Sequence, residues 1–293
     1  MSSPLKPTLL ILALLLSSCS AILPGETAYP LPAASPLASS GPETLPSPAP
    51  TLSPQPAAPT QVPDSGWELL RPGLERRTLN LLDSQGKRQE RLTILRLEAE
   101  RFTLQVHFHP QAQTLSEWQA ETGALIVVNG GYFREQGDGY IPTGLTVIDG
   151  QPLGSSYGDF AGMLAVRAEG PELRWLAQQP YDPAETLLSA LQSFPLLVKP
   201  GGTLGFPAQF EDNQPARRTA VARDRAGRFL FITAQQGFFT LHTFSKYLTG
   251  SDLELDIALN LDGGPSTGLL LADPRQEVPS FTPLPVVIAV LPK

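Results

Sequence analysis

Beyond residue 64, apolar and polar positions alternate along much of the chain with a period of two. Segments 78–83, 91–98 and 101–108 follow this alternation and read as strands with one face toward water. Only Ala99 and Glu100 separate the last two, so the spacing predicts a tight hairpin. From Ala124 the run "ALIVVNGGYF" is continuously apolar until its glycines, as expected of a strand buried on both faces and then a turn. Further strand patterns cover 145–150, 163–168, 195–199, 218–224, 228–235, 256–262, 267–272 and 285–291. Three segments carry helical signals. "TLSEWQAET" from Thr114 places Leu115 and Trp118 three apart, and "PAETLLSALQSF" from Pro183 opens on a proline. "TLHTFSKYLTG" puts Leu241, Phe244 and Leu248 on one face ahead of Gly250. Together these patterns predict an α+β (mixed α/β) fold, a strand-rich single domain with about three helices packed on the sheet.

The first 63 residues break the pattern. After Lys6 an uncharged apolar run ends in "LSSC", which has the layout of an export signal and is too short for a membrane span of roughly 20 residues. The ending resembles a bacterial lipoprotein signal, which implies that 1–18 are removed and that Cys19 carries the lipid. An ordinary signal peptide with an incidental cysteine is the plainer alternative. Cys19 is the only cysteine in the chain, so no internal disulfide is available. Residues 19–63 are dominated by proline, alanine, serine and threonine, with no apolar period to close a core. Such a tether, at about 3 Å per residue, reaches up to roughly 100 Å. The expected organisation is thus signal 1–18, tether 19–63 and one domain over 64–293, exported, anchored to the envelope membrane through Cys19 and working as a monomer.

Net charge is -7 with a pI near 5.1, and no stripe of basic and aromatic residues offsets it, which argues against a nucleic-acid partner.

Candidate chemistry concentrates at three strand ends. "VVNGGYF" carries Asn129 into Gly130 and Gly131, "ALNLDGGPST" carries Asn260 and Asp262 into Gly263 and Gly264, and "QPARRTAVARD" sends Arg217, Arg218 and Thr219 into a strand. A polar residue at the end of a buried strand, followed by glycines, is held rigidly while a ligand approaches backbone N–H groups. Converging, the three stretches would offer a carboxylate, an amide, a guanidinium and a hydroxyl, a set suited to a sugar or a phosphate. Singly, each is also a common turn signal or a solvated arginine, and Arg218 could form a structural ion pair with a neighbour such as Asp224.

In order along the chain, "NGGYF", "PTGLTVIDGQPL", "SFPLLVKPGG", "RRTAVARDRAGRFLFITA" and "LNLDGGPSTGLLL" resemble the phosphodiester glycosidase family, over about 125–271. The resemblance implies a hydrolase acting on glycosyl phosphodiesters or envelope glycans. It makes Asp262 the essential carboxylate, with Gly263, Gly264 and Ser266 forming its loop. It also implies Asn129 and Gly130 at the pocket, joined by Gly131 on the strand-end argument, and Arg218 and Thr219 against phosphate. The chain departs from the family at Pro265, where many relatives have glycine. Proline lacks the N–H, so any contact made by that group in relatives is absent here.

The chemistry is self-consistent. Ordinary glycoside hydrolysis uses two carboxylates because the leaving alkoxide needs a proton. A sugar phosphodiester instead releases a phosphate monoester, with its second pKa at about 6, which leaves with little help. One carboxylate and one cation on the phosphate then suffice, and Arg218 suits the latter role through its planar fork. Glu135 and Asp138, in the glycine-rich loop after Asn129, are the candidates for a second carboxylate. No cofactor or metal motif is present. His107 and His109 share a strand face, although no HExxH motif accompanies them, and a divalent cation at Asp262 stays an open alternative. Two other readings share the pocket: a non-catalytic phosphoglycan-binding lipoprotein, and a phosphodiesterase cutting the P–O bond.

Overall fold

Strands in the middle of the chain are apolar on both faces because both faces are covered. The computed structural model describes residues 63–293, all within one compact unit, while the signal, Cys19 and the tether before residue 63 lie outside the described residues. Strands Arg88–Leu97, Phe229–Ala234, Arg218–Asp224 and Leu255–Asn260 are consecutive neighbours inside an eight-stranded antiparallel sheet. Along them side chains alternate between two cores. Val221, Phe229, Phe231, Ile257 and Leu259 face the central one, and Ala220, Ala222, Leu230, Ile232 and Ala258 face the other.

Two five-stranded antiparallel sheets close the central core. One orders its strands Gly170–Trp175, Gly162–Arg167, Ser189–Ser193, Thr146–Ile148 and Gln151–Leu153. The other orders Gln276–Val278, Leu269–Leu271, Ile126–Asn129, Leu284–Pro292 and Phe102–Gln113. Leu164 and Leu191 from the first, and Val128 and Ile288 from the second, meet the large sheet's Leu95, Phe231 and Leu259.

Among the described residues two α-helices cover outer faces. Leu115–Thr122 starts in a capping box between Thr114 and Glu117, ends at the left-handed Gly123 (φ 65°), and buries Leu115 and Trp118 on one five-stranded sheet. Leu241–Thr249, capped by Thr240, packs Phe244 and Leu248 on the large sheet. Both follow the helical spacing seen in the sequence.

The architecture is mostly β rather than the expected mixed α/β packing with three helices, because the helix expected from Pro183 does not form. There the Asp182 carboxylate accepts the Ala184 N–H at 2.9 Å and its carbonyl accepts the Glu185 N–H at 3.0 Å, making a turn. The chain then enters strand Ser189–Ser193, buried along its whole length between Gly162–Arg167 and Thr146–Ile148. A segment with fair helix propensity is recruited by two strand partners and burial on both faces, which together outweigh propensity. The hairpin expected at Ala99 and Glu100 is likewise absent. Arg88–Leu97 belongs to the large sheet and Phe102–Gln113 to a five-stranded one, so this turn carries the chain between sheets.

Candidate active site

The large sheet and the sheet containing Ile126–Asn129 meet at a seam built from the three strand ends. Asn129 closes its strand with no exposed surface, and its amide is fully engaged. Its Nδ2 donates to the Asp262 carbonyl at 2.8 Å, while its Oδ1 accepts the Thr219 hydroxyl at 2.8 Å and the Gly268 N–H at 3.0 Å. Thr219 is equally buried, so the seam is riveted by a side-chain bond between two sheets. Asp262 follows strand Leu255–Asn260, and its N–H donates to the Gly130 carbonyl at 3.0 Å. Asn129 and Gly130 therefore clamp the backbone of Asp262 on both sides, leaving its side chain to act.

That carboxylate is half-buried. Burial raises its pKa above the ordinary aspartate value, and hydrogen bonds from Ser266 and the Gly263 N–H, the latter at 2.9 Å, partly oppose the rise. The 3-10 turn Gly264–Ser266 shapes the loop. At Gly263 a Cβ would sit 2.9 Å from the Arg217 carbonyl oxygen, and Gly264 adopts φ 57°, so the loop requires small residues at both. Pro265 is exposed within this turn, and its carbonyl accepts the Phe281 N–H at 2.7 Å.

Arg218 begins strand Arg218–Asp224 and is buried, yet no carboxylate pairs with it among the described residues. Its Nε donates to the Phe239 carbonyl at 3.2 Å and its Nη2 to the Gln214 carbonyl at 2.7 Å. Asp224, its suggested ion-pair partner, binds Arg228 at 2.7 Å instead. Burial lowers the pKa of Arg218, opposed by Tyr132, Asp212 and Glu211. A Cβ on Gly263 would lie 3.9 Å from its Nη1, which places the guanidinium beside the Asp262 loop. Arg217 has a different post: it donates to the Pro279 carbonyl at 2.9 Å and lies under the ring of Phe281 at 4.2 Å.

One residue at the site, Tyr132, escaped the sequence reading. Tyr132 accepts a hydrogen bond from Asn260 Nδ2 at 2.8 Å and stacks on Phe194 with ring centroids 4.7 Å apart. Burial raises its pKa, the Asp262 charge raises it further, and Arg218 opposes, so the phenol stands within electrostatic reach of both charged candidates. The signal was present: Tyr132 completes "NGGYF", and Asn260 shares the strand face of Asp262, two residues upstream.

The remaining candidates are scattered. Gly130 packs tightly, since a Cβ there would lie 2.6 Å from Val286 Cγ1, and Gly131 lies against the Gln192 carbonyl. Glu135 and Asp138 are exposed on the hairpin formed by Phe133–Gln136 and Gly139–Pro142. His107 lies near Gln105 and His109 near the Gln111 carbonyl. Among the described residues no group of three or more His, Cys, Asp or Glu side chains is arranged to hold a metal ion, and no helix is long and apolar enough to cross a membrane.

Comparisons with known proteins agree with this architecture. The zebrafish N-acetylglucosamine-1-phosphodiester alpha-N-acetylglucosaminidase catalytic domain, auto-inhibited by its pro-peptide, superposes with a TM-score of 0.59 at 18% identity, covering 76% of this chain and 85% of that one. A hypothetical protein from Synechocystis gives 0.51 at 15% identity, over 76% and 62% of the respective chains. A Burkholderia pseudomallei protein whose name describes it as exported gives 0.50 at 13%, over 69% and 74%. No curated protein sequence matches. These likenesses establish a shared fold, and the family assignment comes from sequence: the phosphodiester glycosidase family model matches residues 122–291, more than half of the chain and the whole of the seam. The chain belongs to the phosphodiester glycosidase family and is a hydrolase of that family.

Proposed function

We propose that the protein hydrolyses the sugar C1–O bond of a sugar 1-phosphodiester, with Asp262 as the reacting carboxylate and Arg218 holding the phosphate. The observation that carries this reading is the division of labour at the seam. Asn129 and Gly130 fix the Asp262 backbone, no cation pairs with its side chain among the described residues, and a buried guanidinium that forms no ion pair among the described residues lies just across Gly263. A half-buried carboxylate whose pKa is raised is a stronger base than an exposed aspartate and is suited to accept a proton from water. As the C1–O bond breaks, the phosphate oxygen keeps the electron pair, with the charge met by Arg218. Water supplies hydroxide to C1, and its proton goes first to Asp262. The products are free sugar and a phosphate monoester.

Thr219 and Asn129 act here through position, because both are fully buried and spend their polar atoms on each other and on the Asp262 loop. Gly131, Gly263, Gly264 and Ser266 supply the close backbone approach and the hydroxyl that steadies Asp262. The reaction needs no cofactor in this scheme, since the Asp262 oxygens already receive donors rather than facing other carboxylates. The "LSSC" ending at Cys19 supports export and lipid anchoring, which would present the domain to envelope substrates.

The test is release of free sugar by a protein of residues 64–293 from a panel of sugar 1-phosphodiesters, N-acetylglucosamine among them, with Asp262→Asn as control. Hydrolysis in oxygen-18 water identifies the bond. Label in the sugar agrees with C–O cleavage, whereas label in the phosphate would replace this reading by P–O cleavage. Binding of a phosphorylated glycan with no turnover would make the protein a recognition module.

A further inference from the structure

A cavity of about 630 Å³ adjoins the seam, within the range typical of small-molecule sites. Its wall is largely aromatic and apolar, including Phe160, Trp175, Phe194, Phe206, Phe210 and Leu241. None of Asp262, Asn129, Arg218 or Thr219 lines it, but three shared walls join it to them. Phe194 lines the cavity on one side and stacks on Tyr132 on the other, and its carbonyl accepts Asn260 Nδ2 at 3.0 Å. Segment 205–214 lines the cavity with Phe206 and Phe210, and its later residue Gln214 holds Arg218. Phe239, whose carbonyl holds the Arg218 Nε, lies two residues before Leu241. The cavity therefore adjoins the phosphate end of the site.

We infer that this cavity binds the aglycone of the phosphodiester, and that the aglycone is an alkyl chain rather than a second sugar. The inference rests on the proposed cleavage of a sugar 1-phosphodiester, with sugar at Asp262 and phosphate at Arg218. Chemistry on the wall selects the alkyl chain. A hexose presents hydroxyls around its ring and calls for a matching set of polar groups, since a buried hydroxyl without a partner is costly. Among the described residues its polar side chains, apart from the Trp175 indole, are Asp159, Lys199 and Gln209, and Lys199 is folded over the Trp175 ring at 4.6 Å. The Trp175 indole N–H is already spent on the Asp159 carbonyl at 2.8 Å. Phe160 and Phe210 are 56% and 65% exposed, so two large apolar rings stand in water unless something covers them.

The experiment compares methyl, decyl and hexosyl diesters of whichever sugar 1-phosphate is turned over, together with equilibrium binding of decyl phosphate. Each methylene removed from water is worth about fourfold in affinity, so even partial burial of the chain gives the decyl diester a KM at least ~10-fold below that of the methyl diester. Phe210→Ser, at an exposed position, is expected to bring the decyl-to-methyl ratio to within about twofold and to weaken decyl phosphate binding by ~10-fold. Preference for the hexosyl diester would overturn the inference in favour of a sugar aglycone. So would equal KM values for methyl and decyl diesters together with no decyl phosphate binding. If no diester is cleaved but decyl phosphate binds and Phe210→Ser weakens it, the alkyl-phosphate site stands and the proposed reaction falls.

Discussion

Arg174 and Arg218 are both buried, at 3% and 8% exposure, and what faces them differs completely. Arg174 meets Glu172 at 2.5 Å and Glu185 at 2.7 Å, and Arg167 pairs with the same two carboxylates. Burial works against the charge of Arg174, but Glu185 and Glu172 outweigh it and hold the pKa above its ordinary value. Among the described residues Arg218 hydrogen-bonds carbonyl oxygens and no carboxylate, Asp212 and Glu211 act on it only at a distance, and burial lowers its pKa. One cluster is a closed account of charge, complete within the fold. The other leaves a positive charge beside the unpaired carboxylate of Asp262. A buried cation without its anion signals a ligand more clearly than the presence of arginine does.

The contrast can be broken from either side. The largest effect is expected from Asp262→Asn, with sugar release falling about 10³-fold while the fold persists. Its unfolding temperature should rise at neutral pH. The folded-state pKa of Asp262 is raised, so this group favours the folded state in acid and loses that contribution as pH rises through its folded value. Asparagine removes the cost of the half-buried charge, and the gain should vanish in acid; melting curves at two pH values check both signs. Next comes Arg174→Met, which strands Glu185 with too few partners and should cost about 3 kcal/mol in denaturant unfolding while kcat/KM stays unchanged. Arg218→Met reverses that pattern. It should lower kcat/KM by about 10²-fold with stability kept, since Asp212 and Glu211, the anions that act on it, stay in contact with solvent. If both arginine variants lose stability alike and neither loses activity, the distinction fails.

Ser266→Ala carries the smallest expected effect. Wild-type activity should fall in acid through a pKa above the ordinary aspartate value, because burial raises that of Asp262. Removing the Ser266 hydroxyl takes away a donor that opposes the rise, so the acid limb of the pH–rate profile should move further toward neutral pH. A limb that stays in place would show that another group sets it.

Sequence patterning revealed the strands well and the candidate site in part. Period-two runs such as 218–224 became strands because one alternation feeds two cores, and Asp262 stood out because glycines follow it. The strand Ser189–Ser193 stayed hidden because its pairing partners, not its own residues, decide its state. The sheet change at Ala99 was hidden for the same reason, since a two-residue turn looks alike whether its strands pair or part. Arg218 was visible, but its lack of a carboxylate was not, because that depends on Asp224 turning to Arg228. The aromatic cavity draws on residues from 159 to 241, spread too widely for any local pattern.

The seam also has a consequence for the life history of the chain. Its rivets span 90 residues between Asn129 and Thr219 and 133 between Asn129 and Asp262, and residues 261–268 are the passage from one sheet to the other. Contacts so distant in sequence close late, after loop entropy has been overcome. No early fragment of a growing chain contains the candidate site, so on the proposed assignment hydrolytic power arrives only with the finished fold. A partly synthesised chain would be chemically silent, and recovery of activity after dilution from denaturant would time the docking of the two sheets.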